Sequence, residues 1–336
     1  MSHGPTGALE RLASATGTHF LALDAARGRT DERLIELRAA FEGLERDEDV
    51  AVVLMGSWGR RELTSESDND FVVLVDAPQE FRRSVVPTLD VVRVVLRKHG
   101  REPGREGVFD TYVYTDHLAG RIGLDRDDNA NLTRRVLLLL ESVSVAGDET
   151  WKEARRTVLG GYLEQPLRDR RPPRLLLNDV VRYWRTICVD FAGKQRERRG
   201  EGWGIRNAKL RLTRKALFAA GLLPILRCHE HLATGITAFL DEQFAARPVD
   251  RLADAFLRYD QADAGARGLA AYDEFLAILD DPALRQELEQ RPRDDLEASL
   301  LFRRVADLGE RFQQGLLTLL FDSDDLAPLT RGYGLF

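Results

Sequence analysis

Two aspartates, Asp68 and Asp70, stand two residues apart at the start of an apolar run. One apolar stretch, 51–55, precedes them and another, 71–75, follows, which predicts two strands joined by a turn rich in glycine and serine. Because side chains alternate along a strand, Asp68 and Asp70 are expected on one side and Asn69 on the other. Adjacent carboxylates repel each other unless a cation lies between them, so the pair predicts a site for a hard divalent ion such as Mg²⁺.

The turn between these strands contains Gly56, Ser57 and Gly59. Glycine lets the backbone approach a ligand closely, and successive backbone N–H groups in a turn can bind a phosphate. Metal ligands beside a phosphate-binding turn predict the transfer of a nucleotide. Two simpler interpretations stay open: the aspartates as a solvated pair, and Ser57 as an ordinary turn residue.

The segment follows the pattern G-S-x-G-R-x-E-x4-S-D-x-D, which resembles the nucleotidyltransferase superfamily related to DNA polymerase β. The matching residues are Gly56, Ser57, Gly59, Arg60, Glu62, Ser67, Asp68 and Asp70. The Gly-Arg-x-Glu part is most similar to the branch that contains the protein-PII uridylyltransferases and the DUF294-type nucleotidyltransferases. A weaker likeness follows at residues 132–148, and the resemblance as a whole covers residues 45–150.

This resemblance implies an enzyme that moves an NMP group from an NTP, with ATP expected, to a hydroxyl acceptor and releases pyrophosphate. Asp68 and Asp70 would then hold two Mg²⁺ ions, and a third carboxylate would complete the site and accept the hydroxyl proton. Asp110 is the candidate for that third carboxylate, and Asp116 is the alternative. The resemblance also assigns nucleotide binding to Gly56, Ser57, Gly59, Arg60 and Ser67.

Several of these residues also fit roles without catalysis. Arg60 and Glu62 suit a local ion pair, which is the favoured interpretation for both. Trp58 is expected to pack in the core, and Asp110 also suits a solvated acid at a strand end.

The pattern of the chain predicts an α+β fold, with a small mixed-sheet nucleotidyltransferase domain followed by an all-helical domain. Strands are expected at 51–55, 70–75 and 108–115, and helices at 30–46, 78–99 and 128–144, with Thr30 and Asp31 as cap candidates for the first helix. After residue 147 only helical patterns occur, in the segments 148–164, 176–198, 205–220, 225–246, 249–259, 268–291 and 294–321. The domains are placed at 1–150 and 151–336, with the boundary between 145 and 170.

The helical half contains a basic segment, 203–218, in a chain whose net charge is −6. Asn207, Arg211 and Arg214 are expected on one helix face, where they would bind the triphosphate or an anionic acceptor. By resemblance, this half would close the cleft over the nucleotide. The alternative is an ion-paired surface helix with Asp179 and Asp190 as partners.

Composition narrows the function classes. The net negative charge argues against a nonspecific polyanion binder, so an RNA acceptor is less favoured than a small molecule, a protein or a nucleotide. The two cysteines, Cys188 and Cys228, lack metal-ligand spacing and are expected to be buried thiols. No apolar run reaches the roughly 20 residues that span a bilayer and the N-terminus lacks a signal-like pattern, so we expect a cytoplasmic protein with no membrane partner.

Two other classes of function remain open at this point. One is a catalytically degenerate protein of the same fold that binds a nucleotide without transferring it, and the other is a scaffold that only retains the fold.

Overall fold

The computed structural model describes residues 7–42, 48–77, 85–100, 108–120, 122–124, 127–164, 166–197, 200–291 and 298–334. The chain divides into two compact units. The sheet unit comprises residues 26–169 and 232–245, and the helical unit comprises residues 1–25, 170–231 and 246–336. The units therefore interleave along the chain, whereas the sequence predicts a single boundary near residue 150.

The sheet unit alternates strands with helices. Its elements are α2 (Leu21–Glu42, from Ala26 onward), β1 (Val50–Leu54), α3 (Ser57–Arg60), β2 (Phe71–Val75), α4 (Val86–Lys98), β3 (Thr111–Tyr114), α5 (Thr115–Ala119), α6 (Asn129–Leu140), β4 (Val143–Ala146), α7 (Asp148–Leu163) and α11 (Ala233–Ala245).

The sheet is mixed and has four strands in the order β3-β2-β1-β4. β1 pairs antiparallel with β2 and with β4, and β2 pairs parallel with β3. The α+β class and the small mixed sheet are therefore confirmed. One face of β1 and β2 joins the apolar side chains of α2 and α4 in a buried core, and α7 packs against the same two strands. Both faces are covered, which explains why β1 and β2 are continuously apolar.

Two expectations for this unit are wrong. The helix predicted over 128–144 ends at Leu140, and β4 follows it as a strand that the sequence pattern did not reveal, because four residues are too few to establish an alternation. The helix predicted over 30–46 begins earlier, at Leu21. Thr30 and Asp31 therefore lie inside α2 and do not cap it. The expected helix over 78–99 is described only from Val86 onward, because residues 78–84 lie outside the described part.

The helical unit contains no strand in its described residues. Its elements are α1 (Ala8–Thr16), the first residues of α2, α8 (Arg174–Glu197), α9 (Trp203–Lys209), α10 (Lys215–Arg227), α12 (Pro248–Arg258), α13 (Ala262–Asp280), α14 (Pro282–Gln290), α15 (Leu300–Leu317) and α16 (Leu326–Leu329). Short π-helical segments lie at Leu210–Arg214, Thr318–Asp322 and Thr330–Gly334.

Several predicted helices match these elements, and others are divided. The segment predicted as one helix over 268–291 breaks at Asp281, whose side chain caps α14 by accepting from two backbone N–H groups, because Pro282 cannot continue the preceding helix. The segment predicted over 225–246 breaks between α10 and α11.

Both cysteines are free thiols; Cys228 is buried and Cys188 is half-buried. Within the described ranges, no helix combines the length and the apolar character that crossing a bilayer requires.

Candidate functional site

The antiparallel pairing of β1 with β2 places the glycine turn beside the aspartates. Leu54 at the end of β1 pairs with Phe71 at the start of β2, and the Met55 N–H donates to the Asp70 carbonyl oxygen at 2.8 Å. The chain leaves β1 and enters the turn at the same end of the strand pair where the aspartate segment enters β2. The two halves of the motif are therefore neighbours because of strand pairing.

Gly56 occupies a conformation that favours glycine, with φ +67° and ψ −133°. An ideal Cβ on Gly56 would lie 3.4 Å from Asp70 Oδ2, so the Asp70 carboxylate lies against the backbone of the turn. This contact joins the predicted metal ligand to the predicted phosphate-binding turn.

The burial of Asp68, Asn69 and Asp70 alternates as expected, although all three residues precede β2. Asp68 is exposed and Asp70 is partly exposed, whereas Asn69 is 1% exposed. Asn69 Oδ1 accepts from Trp58 Nε1 at 3.1 Å, and Asn69 Nδ2 donates to the Leu96 carbonyl at 2.9 Å. The packing role expected for Trp58 is also confirmed, since its side chain is buried.

Gly59 and Arg60 connect the turn to the start of β4. An ideal Cβ on Gly59 would lie 1.9 Å from the Glu141 carbonyl oxygen, which only glycine avoids. Arg60 is 15% exposed and forms ion pairs with Glu62 at 2.8 Å and with Glu141 at 2.5 Å. This geometry agrees with the local ion pair expected for Arg60 and Glu62, and it adds Glu141 as a buried partner. Gly59 serves close packing, so direct contact of Gly59 or Arg60 with a nucleotide stays a prediction.

Ser67 stabilises the loop that leads to the aspartates. Its Oγ accepts from the Thr64 N–H at 3.0 Å and lies 3.1 Å from Thr64 Oγ1. Ser57 is partly exposed, and its carbonyl oxygen accepts from the Glu62 N–H at 2.8 Å. Ser57 is therefore the hydroxyl of the turn that remains accessible to a ligand, whereas the hydroxyl of Ser67 is engaged in its own loop.

Asp110 directly precedes β3 and lies beside the start of β2. The Asp110 N–H donates to the Phe71 carbonyl, and in this parallel pairing Val72 faces Thr111. Asp110 itself precedes β3 and has a positive φ of 58°, so the strand register does not fix the direction of its side chain.

The Asp110 carboxylate is engaged by α4. Asp110 Oδ1 accepts from Arg93 Nε at 2.6 Å, and the Asp110 carbonyl accepts from Arg93 Nη2 at 3.1 Å. The hydrogen bond to Asp110 raises the pKa of Arg93.

The alternative, Asp116, lies at the other end of the sheet. Asp116 is close enough to Asp76 to help raise the pKa of that carboxyl group, chiefly raised by burial, and Asp76 follows the last residue of β2. A strand of this length separates its two ends by about 16 Å. Among the described residues, no group of three or more His, Cys, Asp or Glu side chains is arranged to hold a metal ion. The metal site expected at Asp68 and Asp70 therefore stays a prediction, and of the two candidates for the third carboxylate, Asp110 pairs with Arg93 and Asp116 lies near Asp76.

The supporting role of α2 was not apparent in the sequence. The Leu63 N–H donates to Thr30 Oγ1 at 3.1 Å, and Arg61 pairs with Asp31 at 2.6 Å. These contacts fix the chain after α3, and they join residues about thirty positions apart, so no local pattern could indicate them.

In the helical unit, the three predicted nucleotide-binding residues differ in exposure. Asn207 is buried in α9, Arg211 is exposed in the π-helical segment, and Arg214 is partly exposed at its end. They therefore do not present one continuous polar face. The acids proposed as their partners bind elsewhere: Asp179 pairs with Arg182, and Asp190 pairs with Lys194.

Comparisons with known proteins identify no relative. No protein-family model matches the chain, and no curated protein matches it at a significant level.

Proposed function

We propose that the protein is a metal-dependent nucleotidyltransferase that transfers an NMP group from an NTP to a hydroxyl acceptor. The observation that carries this proposal is the position of the Asp70 carboxylate against the Gly56 backbone, with Asp68 two residues before it in the chain. A carboxylate beside a partly exposed glycine turn suits a hard cation and a phosphate bound together. The proposal also rests on the motif resemblance.

The donor set suits Mg²⁺ with an incomplete protein shell. Asp68 and Asp70 offer only carboxylate oxygens, and Mg²⁺ in such sites keeps places for water and for substrate phosphates. When bound, Mg²⁺ would neutralise phosphate charge and lower the pKa of a hydroxyl bound to it. The chain's own part is to orient the phosphates through Ser57 and the turn, and to hold Asp70 in position through Gly56.

The Arg60 network would keep that turn rigid. Glu62 and Glu141 fix the guanidinium from two sides, and Gly59 packs directly on the Glu141 backbone. A fixed turn lowers the cost of ordering the phosphates, which is the main contribution that a protein makes to phosphoryl-type transfer. ATP as the donor and a cytoplasmic location are parts of this proposal.

A second candidate function is nucleotide binding without transfer. It is favoured by the ion pair between Asp110 and Arg93, because the expected third carboxylate is already bound to a cation of the chain itself. A protein with two carboxylates and a phosphate-binding turn would bind the magnesium complex of ATP but would lack a base to accept the hydroxyl proton.

Calorimetry with α,β-methylene-ATP tests the site, because this analogue binds without being cleaved between the α- and β-phosphates. We expect binding in the presence of Mg²⁺ and a loss of at least tenfold in affinity for Asp70→Asn and for Asp68→Asn. Asp90→Asn, which removes an exposed carboxylate on α4, is the matched control and should bind like the wild type. Equal binding by all variants would contradict the site.

Release of pyrophosphate from ATP then separates the two candidate functions. A transferase should release pyrophosphate only when Mg²⁺ and an added acceptor fraction are both present. A protein that only binds the nucleotide should release no pyrophosphate, although it still binds the analogue.

A further inference from the structure

In the helical unit, α8 and α10 pack side by side through an aromatic pair. The ring of Trp184 stacks on that of Phe218, with centroids 5.3 Å apart and planes inclined by 22°. Cys188 lies one helical turn after Trp184 in α8. The junction between the π-helical segment and α10 lies one turn before Phe218. This packing brings Cys188 close to Arg214 and Lys215.

Four cationic side chains lie around this junction, and we call them the cation cluster: Arg185, Arg211, Arg214 and Lys215. Burial raises the pKa of the Cys188 thiol, and Arg185, Arg214 and Lys215 all lie close enough to act on it in the opposite direction. Arg211 in turn lies close to Lys215. Arg211 also extends along α15, since its Cβ lies 3.2 Å from the ideal Cβ position of Gly309.

Lys215 shows that this positive charge is poorly compensated. Burial and then the proximity of Arg211 lower its pKa, and Glu310 is the carboxylate that acts in the opposite direction. Its ammonium group donates to the neutral amide oxygen of Gln313. Like charges held together in a half-buried place cost free energy unless an anion joins them.

The three arginines of the cluster have no ion-pair partner among the residues that the structure describes. Other cations of the same unit are paired: Arg227 with Asp254 at 2.8 Å, and Arg304 with Glu274 at 2.6 Å. The cluster is therefore not a typical ion-paired helix surface.

The π-helical segment Leu210–Arg214 explains how the cluster is presented. Leu212 and Thr213 are buried, whereas Arg211 is exposed. A π-helical segment changes the direction of the side chains that follow it, and such segments are frequent at functional sites.

We propose that Arg185, Arg211, Arg214 and Lys215 form a metal-independent binding site for a ligand that carries linked phosphate groups, such as the triphosphate of a nucleotide. Guanidinium groups match phosphate oxygens with paired hydrogen bonds, and a cluster of four cations, of which Lys215 lies near Glu310, suits a multiply charged anion. The site stands independently of nucleotidyl transfer.

Calorimetry of the full chain with inorganic tripolyphosphate in EDTA tests this site. We expect binding that weakens at least fivefold in Arg214→Gln and is lost in the double variant Arg211→Gln/Arg214→Gln. Arg304→Gln removes a paired arginine of the same unit and should bind like the wild type. Asp70→Asn should also bind normally, so a failure of the transferase proposal leaves this result unchanged. ATP in EDTA, compared with tripolyphosphate, measures whether a nucleoside adds affinity.

Alkylation of Cys188 by iodoacetamide gives an independent readout. A bound polyanion offsets the cations that favour the thiolate, so tripolyphosphate should slow alkylation of Cys188 several-fold, while buried Cys228 stays unreactive with and without it. The proposal would be overturned by absence of binding in EDTA, by an equal loss in Arg304→Gln, or by an alkylation rate that tripolyphosphate does not change.

Discussion

Asp70 Oδ2 lies 3.4 Å from the point that a Cβ on Gly56 would occupy. The carboxylate and the turn thus lie side by side although thirteen residues separate Gly56 from Asp70 in the sequence, and the pairing of Leu54 with Phe71 holds them there. The function proposed for the sheet unit depends on this contact.

Gly56→Ala should lower stability and weaken nucleotide binding together. The positive φ of Gly56 costs an alanine about 1–3 kcal/mol, and the new methyl group would lie at the Asp70 carboxylate. We expect a fall of several degrees in Tm by calorimetry and a loss of affinity for α,β-methylene-ATP with Mg²⁺. Gly17→Ala is the control, because Gly17 has a similar φ of +65° with no atom within 4 Å. If both variants bound the analogue equally, the contact would have no role in binding.

Gly59→Ala should be the most destabilising glycine substitution in the sheet unit. Its methyl group would overlap the Glu141 backbone, at 1.9 Å from the carbonyl oxygen, and a backbone cannot move aside as a flexible side chain can. We expect a loss of at least about 3 kcal/mol in urea unfolding. Gly28→Ala, exposed within α2 with no atom within 4 Å, should instead be neutral or stabilising by up to about 1 kcal/mol.

Arg60→Met should destabilise the sheet unit because it leaves Glu62 and Glu141 buried without their cation. Removal of one partner from a buried ion pair costs about 3–5 kcal/mol. Adding Glu62→Gln and Glu141→Gln to Arg60→Met removes the stranded charges and should recover part of the loss. Urea unfolding of the single and the triple variant measures this, and a triple variant no more stable than Arg60→Met would show that charge is not the cause.

Asp110→Asn should leave Mg²⁺-dependent binding of the analogue within about twofold of the wild type, since the Asp110 carboxylate already pairs with Arg93. Stability should change by less than about 1 kcal/mol, because the ion pair with Arg93 is substantially exposed. Asparagine also tolerates the positive φ of 58° found at this position. Loss of binding comparable to that of Asp70→Asn would make Asp110 a metal ligand after all.

Asp76→Asn should stabilise the protein at neutral pH more than at acid pH. Burial, followed by the nearby Glu153, Asp116 and Asp49, raises the pKa of Asp76 in the folded state, while the Thr115 hydroxyl acts in the opposite direction. A carboxyl group with a raised folded pKa binds its proton more tightly when folded, so its contribution to stability falls as the pH rises from the unfolded pKa through the folded pKa. Asparagine does not ionise, so Asp76→Asn removes this loss of stability with rising pH.

Urea unfolding of wild type and Asp76→Asn at pH 4 and pH 7 measures the effect. The advantage of Asp76→Asn should grow between these two values, and an advantage that is the same at both would contradict the role of burial.

The sequence by itself determined the local features of this protein. Continuous apolar runs define β1 and β2, and alternation separates buried Asn69 from exposed Asp68. The period of the apolar residues locates most helices, because it reflects a geometry that repeats within one element. The metal chemistry proposed for Asp68 and Asp70 rests on residue type and spacing alone.

The tertiary structure decided which distant residues meet. The choice of β2 and β4 as neighbours of β1, the ion pair of Asp110 with Arg93, and the burial of Glu141 against Arg60 all depend on contacts between separate elements. The cation cluster of Arg185 with Lys215 likewise exists only because α8 packs on α10. Local patterns carry no record of strand order or helix packing, since these depend on how buried faces match across the folded chain.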